Sequence, residues 1–401
     1  MFMEGDFMKV KGIHHISSIV YHPQMNVDFN TSVLGLKMIK KAVNFDDAKS
    51  YHFYYGNDLS EIGTAITAFP MGENIKDGIT GGGQTTSIYY SIPEGSMDFW
   101  EKRLNDFKIL TSKRYRYNKL HLVFTDEAGI QNELVESNDY RINTYEYNGI
   151  SKNESIRGFY GALIYSTNYE KTKSFFENIL GMNLINEDNN SYRFEMEANI
   201  GKYLDLSKRD YKRGRLSKGT VHHIALSVDS LEELEEFREK IENLGINVTD
   251  VKERNFFKSI YFREPGGTVI ELATKDPGFS KFNIDSKAEE LYLPKHFEHL
   301  REELENTLTP IFVKETKELK EYKYQNKQEY DAYFYHQNLL NRINELAKIN
   351  KERKLTKEEL EEREILRRKY IDNIKSGVKS LADSIKIEDS EGNLKKIERK
   401  R

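Results

Sequence analysis

Gly12-Ile13-His14-His15-Ile16-Ser17 and Thr220-Val221-His222-His223-Ile224-Ala225 are two versions of one strand opening, and His15 and His223 lie 208 residues apart. A third stretch, Gly266-Gly267-Thr268-Val269-Ile270-Glu271-Leu272, follows the second opening. Two histidines and one carboxylate drawn from repeated strands are the donor set of a metal centre with open coordination positions.

The repeat extends beyond the histidines. Val27-Asp28-Phe29 and Val33-Leu34-Gly35-Leu36 after the first opening recur as Ser174-Phe175-Phe176 and Ile179-Leu180-Gly181-Met182 after Tyr160. Both read as strand, helix, left-handed glycine cap, strand. Residues 85–136 and 220–274 follow a similar plan, each with a first strand, a helix (96–107, 230–244) and a closing hairpin that ends on Glu-Leu. The pattern predicts an α+β chain of four βαβββ modules near 10–70, 85–136, 158–208 and 220–274. The expected domains are 8–137 and 155–280, two modules each, then a helix and linker over 281–336 and a helical hairpin over 337–395. The glycine-rich stretch 71–84 reads as a linker or loop, and not as a phosphate loop, since no Lys-Ser/Thr follows the glycines. A further amphipathic helix is predicted over 296–308.

Side chains alternate across a strand. Ile224, Leu226 and Val228 form the apolar face that packs on a helix, with His222 among them. His223, Ala225 and Ser227 take the other face. The same alternation sends His15 and Ser17 to the open side and His14 away from it. Glu271 falls on the open side, between helix-facing Ile270 and Leu272. By register, Ser87 and Tyr160 stand at the first-strand histidine position of the other two modules, and Thr67 and Glu133 at the last-strand position. Modules one and four therefore share one expected site, His15, His223 and Glu271, with Thr67 where a fourth ligand would stand. Glu133 reads as a relic of the repeat. A single strand histidine is more often a hydrogen-bonded structural residue than a ligand, and it is the recurrence of the pair that favours a metal.

Composition narrows the chemistry. The 401 residues contain no cysteine, which excludes disulfides, thiolate metal sites and thiol nucleophiles. Residues 1–310 carry 38 basic against 47 acidic side chains, and 311–401 carry 23 against 18. This surplus is too small to imply nucleic-acid binding. The N-terminus has no basic-then-apolar signal pattern, and no run of 18 apolar residues is present, so a cytoplasmic protein without a membrane span is expected.

At Gly12-Ile13-His14-His15-Ile16, Lys49-Ser50-Tyr51-His52-Phe53-Tyr54-Tyr55-Gly56, Gly219 through Ala225, Arg263-Glu264-Pro265-Gly266-Gly267 and Glu271 through Phe279, the chain resembles the vicinal-oxygen-chelate superfamily. Within it, residues 8–308 look most like the hydroquinone-type ring-cleaving dioxygenases. The resemblance implies the glyoxalase/bleomycin-resistance/extradiol-dioxygenase fold, with Fe(II), or Mn(II) with the same ligands, held by His15, His223 and Glu271. It implies an aromatic diol and O2 as substrates, and groups around the ligands at His14, Ser17, His222, Arg254 and Tyr261. Ser17 stands where a threonine is expected; both present a hydroxyl. His52 matches Tyr261 by repeat register, and Tyr261 and a histidine are the candidates to move protons near neutral pH. The rival readings are a glyoxalase-like isomerase or thiol transferase, which would use a fourth protein ligand, and a non-catalytic scaffold. A homo-oligomer is compatible with either.

The tail is built differently. Leu339, Ile343, Leu346 and Ala347, then Leu360, Ile365, Leu366, Ile371, Ile374, Val378 and Leu381, keep helical spacing over 338–353 and 357–385. Thr356 precedes acidic first-turn residues as an N-cap. Leu340 through Lys348, Leu355-Thr356, Arg367-Arg368-Lys369-Tyr370, Ile385-Lys386-Ile387 and Glu391-Gly392-Asn393 resemble short bacterial helical-hairpin proteins of the YnzC-like type. That resemblance supplies a fold and no partner.

Overall fold

The computed structural model describes residues 8–71, 75–279, 290–314, 342–343, 345–351, 353–368 and 371, and the backbone of 386–388 and 394–396. The chain forms two compact units, 1–322 and 323–401.

Within the first unit, four βαβββ modules are present. Module one has β1 (Ile13–Val20), α1 (Pro23–Val27), β2 (Lys37–Val43), β3 (Tyr51–Gly56) and β4 (Ala65–Pro70). Helix α1 is capped by the His22 ring and runs on as a π-helical segment, Asp28–Val33. Module two has β5 (Gln84–Ile92), α2 (Met97–Asp106), β6 (Ser112–Arg116), β7 (Lys119–Thr125) and β8 (Gln131–Glu136). Module three has β9 (Gly158–Ser166), α3 (Tyr169–Asn178), β10 (Asn183–Glu187), β11 (Ser191–Glu195) and β12 (Tyr203–Asp210). Module four has β13 (Thr220–Val228), α4 (Leu231–Glu242), β14 (Lys252–Glu253), β15 (Lys258–Arg263) and β16 (Val269–Thr274).

The modules do not combine in sequence order. Modules one and four build one sheet, β14-β15-β16-β13-β1-β4-β3-β2-β17, where β17 (Leu291–Tyr292) adds to the edge in parallel with β2. Modules two and three build the other, β10-β11-β12-β9-β5-β8-β7-β6. In each sheet the two first strands meet antiparallel at the centre, β1 against β13 and β5 against β9. Ile224, Leu226, Leu234, Phe237, Ile241, Ile270 and Leu272 are fully buried, so α4 covers the apolar face of module four as the alternation requires. The opposite face of the first sheet is left to form a cup.

The sheets lock together where side chains are absent. Gly63 has φ +85°, and a Cβ there would come within 2.8 Å of Ile200. A Cβ at Gly266 would lie 1.9 Å from Ser166 Oγ, and Glu264 in the same turn accepts hydrogen bonds from the Gly266 N–H and from Thr172 Oγ1. The described part of the 71–84 stretch is not a free linker, because Asp77, Ile79 and Gly82 bridge to Lys218, Arg215 and Arg213. The helix expected over 296–308 is present in two pieces, a 3-10 turn Lys295–Leu300 and α5 (Arg301–Thr307). Beyond α5, Gln24 exchanges two hydrogen bonds with the Phe312 main chain (2.7 and 2.9 Å), and Ser32 Oγ donates to the Lys314 carbonyl.

In the second unit, 345–351 and 357–368 are helical. The Glu359 N–H donates to Thr356 Oγ1, and the Thr356 N–H donates back to the Glu359 carboxylate, a capping box at the expected N-cap. Arg342 bonds both oxygens of Glu362 across the two helical stretches. The expected continuation of the helix to 385 lies mostly outside the described residues. Residues Lys386–Glu388 pair antiparallel with Leu394–Lys396.

Candidate metal centre

The floor of the cup is set by the pairing of β1 with β13, where Ser17 stands opposite His223 and His15 opposite Ala225. Ala225 in turn pairs with Glu271 on β16. His15, His223 and Glu271 thus converge from three adjacent strands, and they are 3, 4 and 0% exposed. His15 Nε2 and His223 Nε2 lie 3.3 Å apart, and Glu271 Oε2 lies 3.1 and 3.0 Å from them. Among the described residues, no other trio of His, Asp or Glu side chains brings its ligand atoms this close.

These separations fit a metal ion. Three ligands on one face of an octahedron with bonds of about 2.1 Å are about 3.0 Å apart. Among the described residues, buried Glu271 Oε1 has no hydrogen-bond partner, an expensive arrangement for a carboxylate unless a cation answers it. Burial would raise the Glu271 pKa, but the two histidines hold it well below the ordinary value. Burial likewise lowers His223. An ionised Glu271 carboxylate and a neutral His223 imidazole are the forms that metal binding requires.

Each histidine of the trio is oriented by the one before it. His14 Nδ1 lies 2.9 Å from His15 Nδ1, and His222 Nδ1 lies 2.7 Å from His223 Nδ1. Strict alternation sent His14 and His222 away from the centre, and the structure differs for a definite reason. The ladder slips by one residue between Ile13 and His15, and again between Ser17 and Ser18, where β13 carries the extra residue. His14 and His222 are the extra residues of two β-bulges, which re-aim a side chain locally. His14 is packed edge-on against Phe257 and Phe279, at 4.8 and 5.4 Å between ring centroids. Burial, then the neighbouring ligand histidine, pushes both His14 and His222 down to about 3. A neutral imidazole accepting the ligand's Nδ1–H leaves the ligand's Nε2 lone pair for a metal.

Above the trio lies a cavity of about 500 Å³, lined by Ser17, His52, Tyr54, Arg254 and Tyr261 among others. The Arg254 guanidinium lies 5.5 Å from the Tyr261 ring and 5.6 Å from that of Phe45, with Asp46 at 3.8 Å. Tyr261 pairs with Glu271 across β15 and β16. Burial and then the Glu271 charge raise its phenol well above the ordinary value, so it is a neutral hydrogen-bond donor and not a group that titrates near neutrality.

Two register expectations are corrected. Tyr54, not His52, pairs with Thr67 as Tyr261 pairs with Glu271. His52 sits two residues along on the same face, which is why it also lines the cavity. In module three, Gly161 stands opposite Tyr89 as His223 stands opposite Ser17, because the ladder slips between Tyr89 and Tyr90 and Tyr160 is displaced from the histidine position. Thr67 does occupy the position of Glu271, but its Oγ1 is engaged by Ser17 Oγ at 2.6 Å and by His52 Nε2 at 3.1 Å.

A family model described as the Glyoxalase/Bleomycin resistance protein/Dioxygenase superfamily matches residues 160–272. The Bacillus subtilis (strain 168) protein MhqO, named as a ring-cleaving dioxygenase, is 38% identical over 308 residues, covering 77% of this chain and 98% of MhqO. The chlorohydroquinone/hydroquinone 1,2-dioxygenase of Sphingobium indicum is 30% identical over 316 residues, covering 76% of this chain and 98% of that protein. A solved structure from B. subtilis subsp. subtilis str. 168, titled as a dioxygenase, superposes with a TM-score of 0.74 at 38% identity over 77% of this chain and 99% of that one. The chain belongs to the ring-cleaving dioxygenases of this superfamily, and its body is an enzyme. Residues 338–395 match a family of bacterial proteins of unknown function, DUF896. Among the described residues no helix is long and apolar enough to cross a membrane.

Proposed function

We propose that the chain is an Fe(II)-dependent dioxygenase that opens the ring of a hydroquinone- or catechol-type diol, with His15, His223 and Glu271 as the metal ligands. The observation that carries this reading is the convergence of three buried lone-pair atoms within 3.3 Å at the floor of a cavity large enough for an aromatic ring. The name of the Sphingobium relative supports the substrate class. When bound, Fe(II) supplies adjacent open positions for a phenolic oxygen and O2 and a one-electron couple between them; Mn(II) suits the same donors.

The remaining chemistry falls to the protein. His14 and His222 hold the ligand rings in one tautomer. Arg254 presents a permanent positive charge to the phenolate end of the substrate. Tyr261 donates a hydrogen bond from a phenol that stays neutral. Phe257 and Phe45 line the cavity and offer ring faces to the substrate. In the balanced reaction one ring C–C bond breaks and both atoms of O2 enter the product. The engagement of Thr67 by Ser17 and His52 argues against the four-ligand arrangement of the isomerase reading.

The test is O2 uptake by anaerobically Fe(II)-loaded protein given hydroquinone, methylhydroquinone and catechol in turn. Uptake matched to ring loss, and absent in Glu271→Ala, supports the reading. Bound metal with no uptake on any diol overturns it.

A further inference from the structure

The cavity wall carries a chain of hydrogen bonds that the roles above do not use. Tyr54 Oη lies 2.8 Å from His52 Nδ1, His52 Nε2 lies 3.1 Å from Thr67 Oγ1, and Thr67 Oγ1 lies 2.6 Å from Ser17 Oγ. Tyr54, His52 and Ser17 line the cavity, while Thr67 is buried behind them. Ser17 shares a strand face with His15 and stands opposite His223. The far end of the chain therefore begins at a phenol, and the near end finishes beside the ligand trio.

We propose that Tyr54 and His52 are positioning residues that fix the direction of this chain, so that Ser17 presents its proton, and not a lone pair, to whatever oxygen occupies the centre. This rests on the reading of the trio as the metal site of an oxygenase. The direction follows from the unlike hydroxyls at its two ends. Among the described residues, Tyr54 Oη and Ser17 Oγ each have one hydrogen-bond partner in the chain, and a phenol is the stronger donor and weaker acceptor of the two, so Tyr54 donates to His52 Nδ1. A neutral imidazole that accepts at Nδ1 carries its proton on Nε2 and donates to Thr67 Oγ1. Thr67 then donates to Ser17, the other partner of its hydroxyl among the described residues. Ser17 Oγ already accepts from Thr67, and its own O–H is left for the cavity. His52 is also held in plane by Phe69, which stacks on it at 4.1 Å, and a ring clamped on one face and bonded at both nitrogens cannot exchange roles by flipping. A fixed donor beside the centre stabilises negative charge building on a bound oxygen. No group in the chain needs to become charged for this.

The first test needs neither metal nor turnover. Nitrogen NMR of the full chain, labelled at its histidines and kept metal-free, reads the His52 tautomer, with His52→Gln assigning the signal. An unprotonated Nδ1 and a protonated Nε2 are expected, with Tyr54→Phe populating both tautomers. A protonated Nδ1 in the unaltered chain overturns the proposal. The second test is kinetic. Tyr54→Phe should lower kcat about ten-fold with KM little changed, and His52→Gln, which keeps an N–H toward Thr67, should retain more kcat than His52→Phe. Equal loss in both His52 variants also overturns it. If the unaltered enzyme takes up no O2 with any diol, the functional reading falls, while the tautomer measurement still decides the direction of the chain.

Discussion

Glu133 and Glu271 hold the same position in the two sheets, each paired with the residue two places beyond the repeat's first-strand position (Tyr89 and Ala225), yet their surroundings differ. Glu271 faces two histidines whose lone pairs converge on it. Glu133 is closed by protein alone: Arg116 donates to both of its oxygens at 3.1 Å, Ser87 and Gln131 donate to Oε1, and His121 Nδ1 lies 2.7 Å from Oε2. A guanidinium stands in the second sheet for what the first sheet leaves open. The buried pair Arg193–Asp205 completes the same closure in module three.

His15→Ala, His223→Ala and Glu271→Ala should each abolish stoichiometric metal binding, read by metal analysis after anaerobic loading and desalting. Retention of a full equivalent by any one of them would remove that residue from the ligand set.

His14→Ala should keep the metal and bind it about 10- to 100-fold more weakly, because it loses the group that orients the ligand ring and not the ligand itself. Competition with a chelator of known affinity measures the difference. Unchanged affinity would assign His14 to packing against Phe257 and Phe279.

Glu133 gives a pH dependence with a definite sign. Burial alone would raise its pKa, but the His121 hydrogen bond and the Arg116 charge bring it down to about 2, below the ordinary value of about 4.3. Folding therefore favours the ionised form. That contribution is complete above about pH 4.3 and is lost as pH falls through about 2. Glu133→Gln should be less stable than the unaltered chain at pH 7 by roughly 3 kcal/mol, since it leaves the half-buried Arg116 guanidinium without its carboxylate. The gap should narrow as pH approaches 2, as followed by urea denaturation at each pH.

Gln24→Ala should lower stability by about 2 kcal/mol through the two hydrogen bonds it makes to the Phe312 main chain. Thermal unfolding reads the loss, and hydrogen exchange should show faster exchange at the Phe312 amide. Unchanged protection there would mean that the segment after α5 is held by its other contacts.

Much of this was legible before the fold was. The four modules, and one site shared by the first and fourth through His15, His223 and Glu271, follow from repeat spacing and a two-residue period, whereas the joining of those two modules in a single sheet does not. What escaped were the places where the period breaks. His14 and His222 sit in bulges, and a bulge adds one residue without leaving a mark in hydrophobic alternation. The same slip displaced Tyr160 from the histidine position. The match of Lys49-Ser50-Tyr51-His52 to Lys258-Ser259-Ile260-Tyr261 was a local likeness of letters, whereas pairing across β3 and β4 is set by the hairpin between them and put Tyr54 in register. The role of Glu133 was hidden because its partners, Arg116 on β6 and His121 on β7, stand on other strands of its module and carry no motif.

The first sheet joins the earliest module to the last, while the second joins two consecutive ones. On a ribosome releasing the chain from its N-terminus, every strand of the second sheet has been synthesised before His223 and Glu271 exist. His15 must wait through the making of both middle modules for its partners. The donor trio is thus among the last features of the body to be completed, and a chain interrupted anywhere before residue 271 carries an incomplete set of ligands. The order of synthesis itself keeps unfinished copies from assembling this centre.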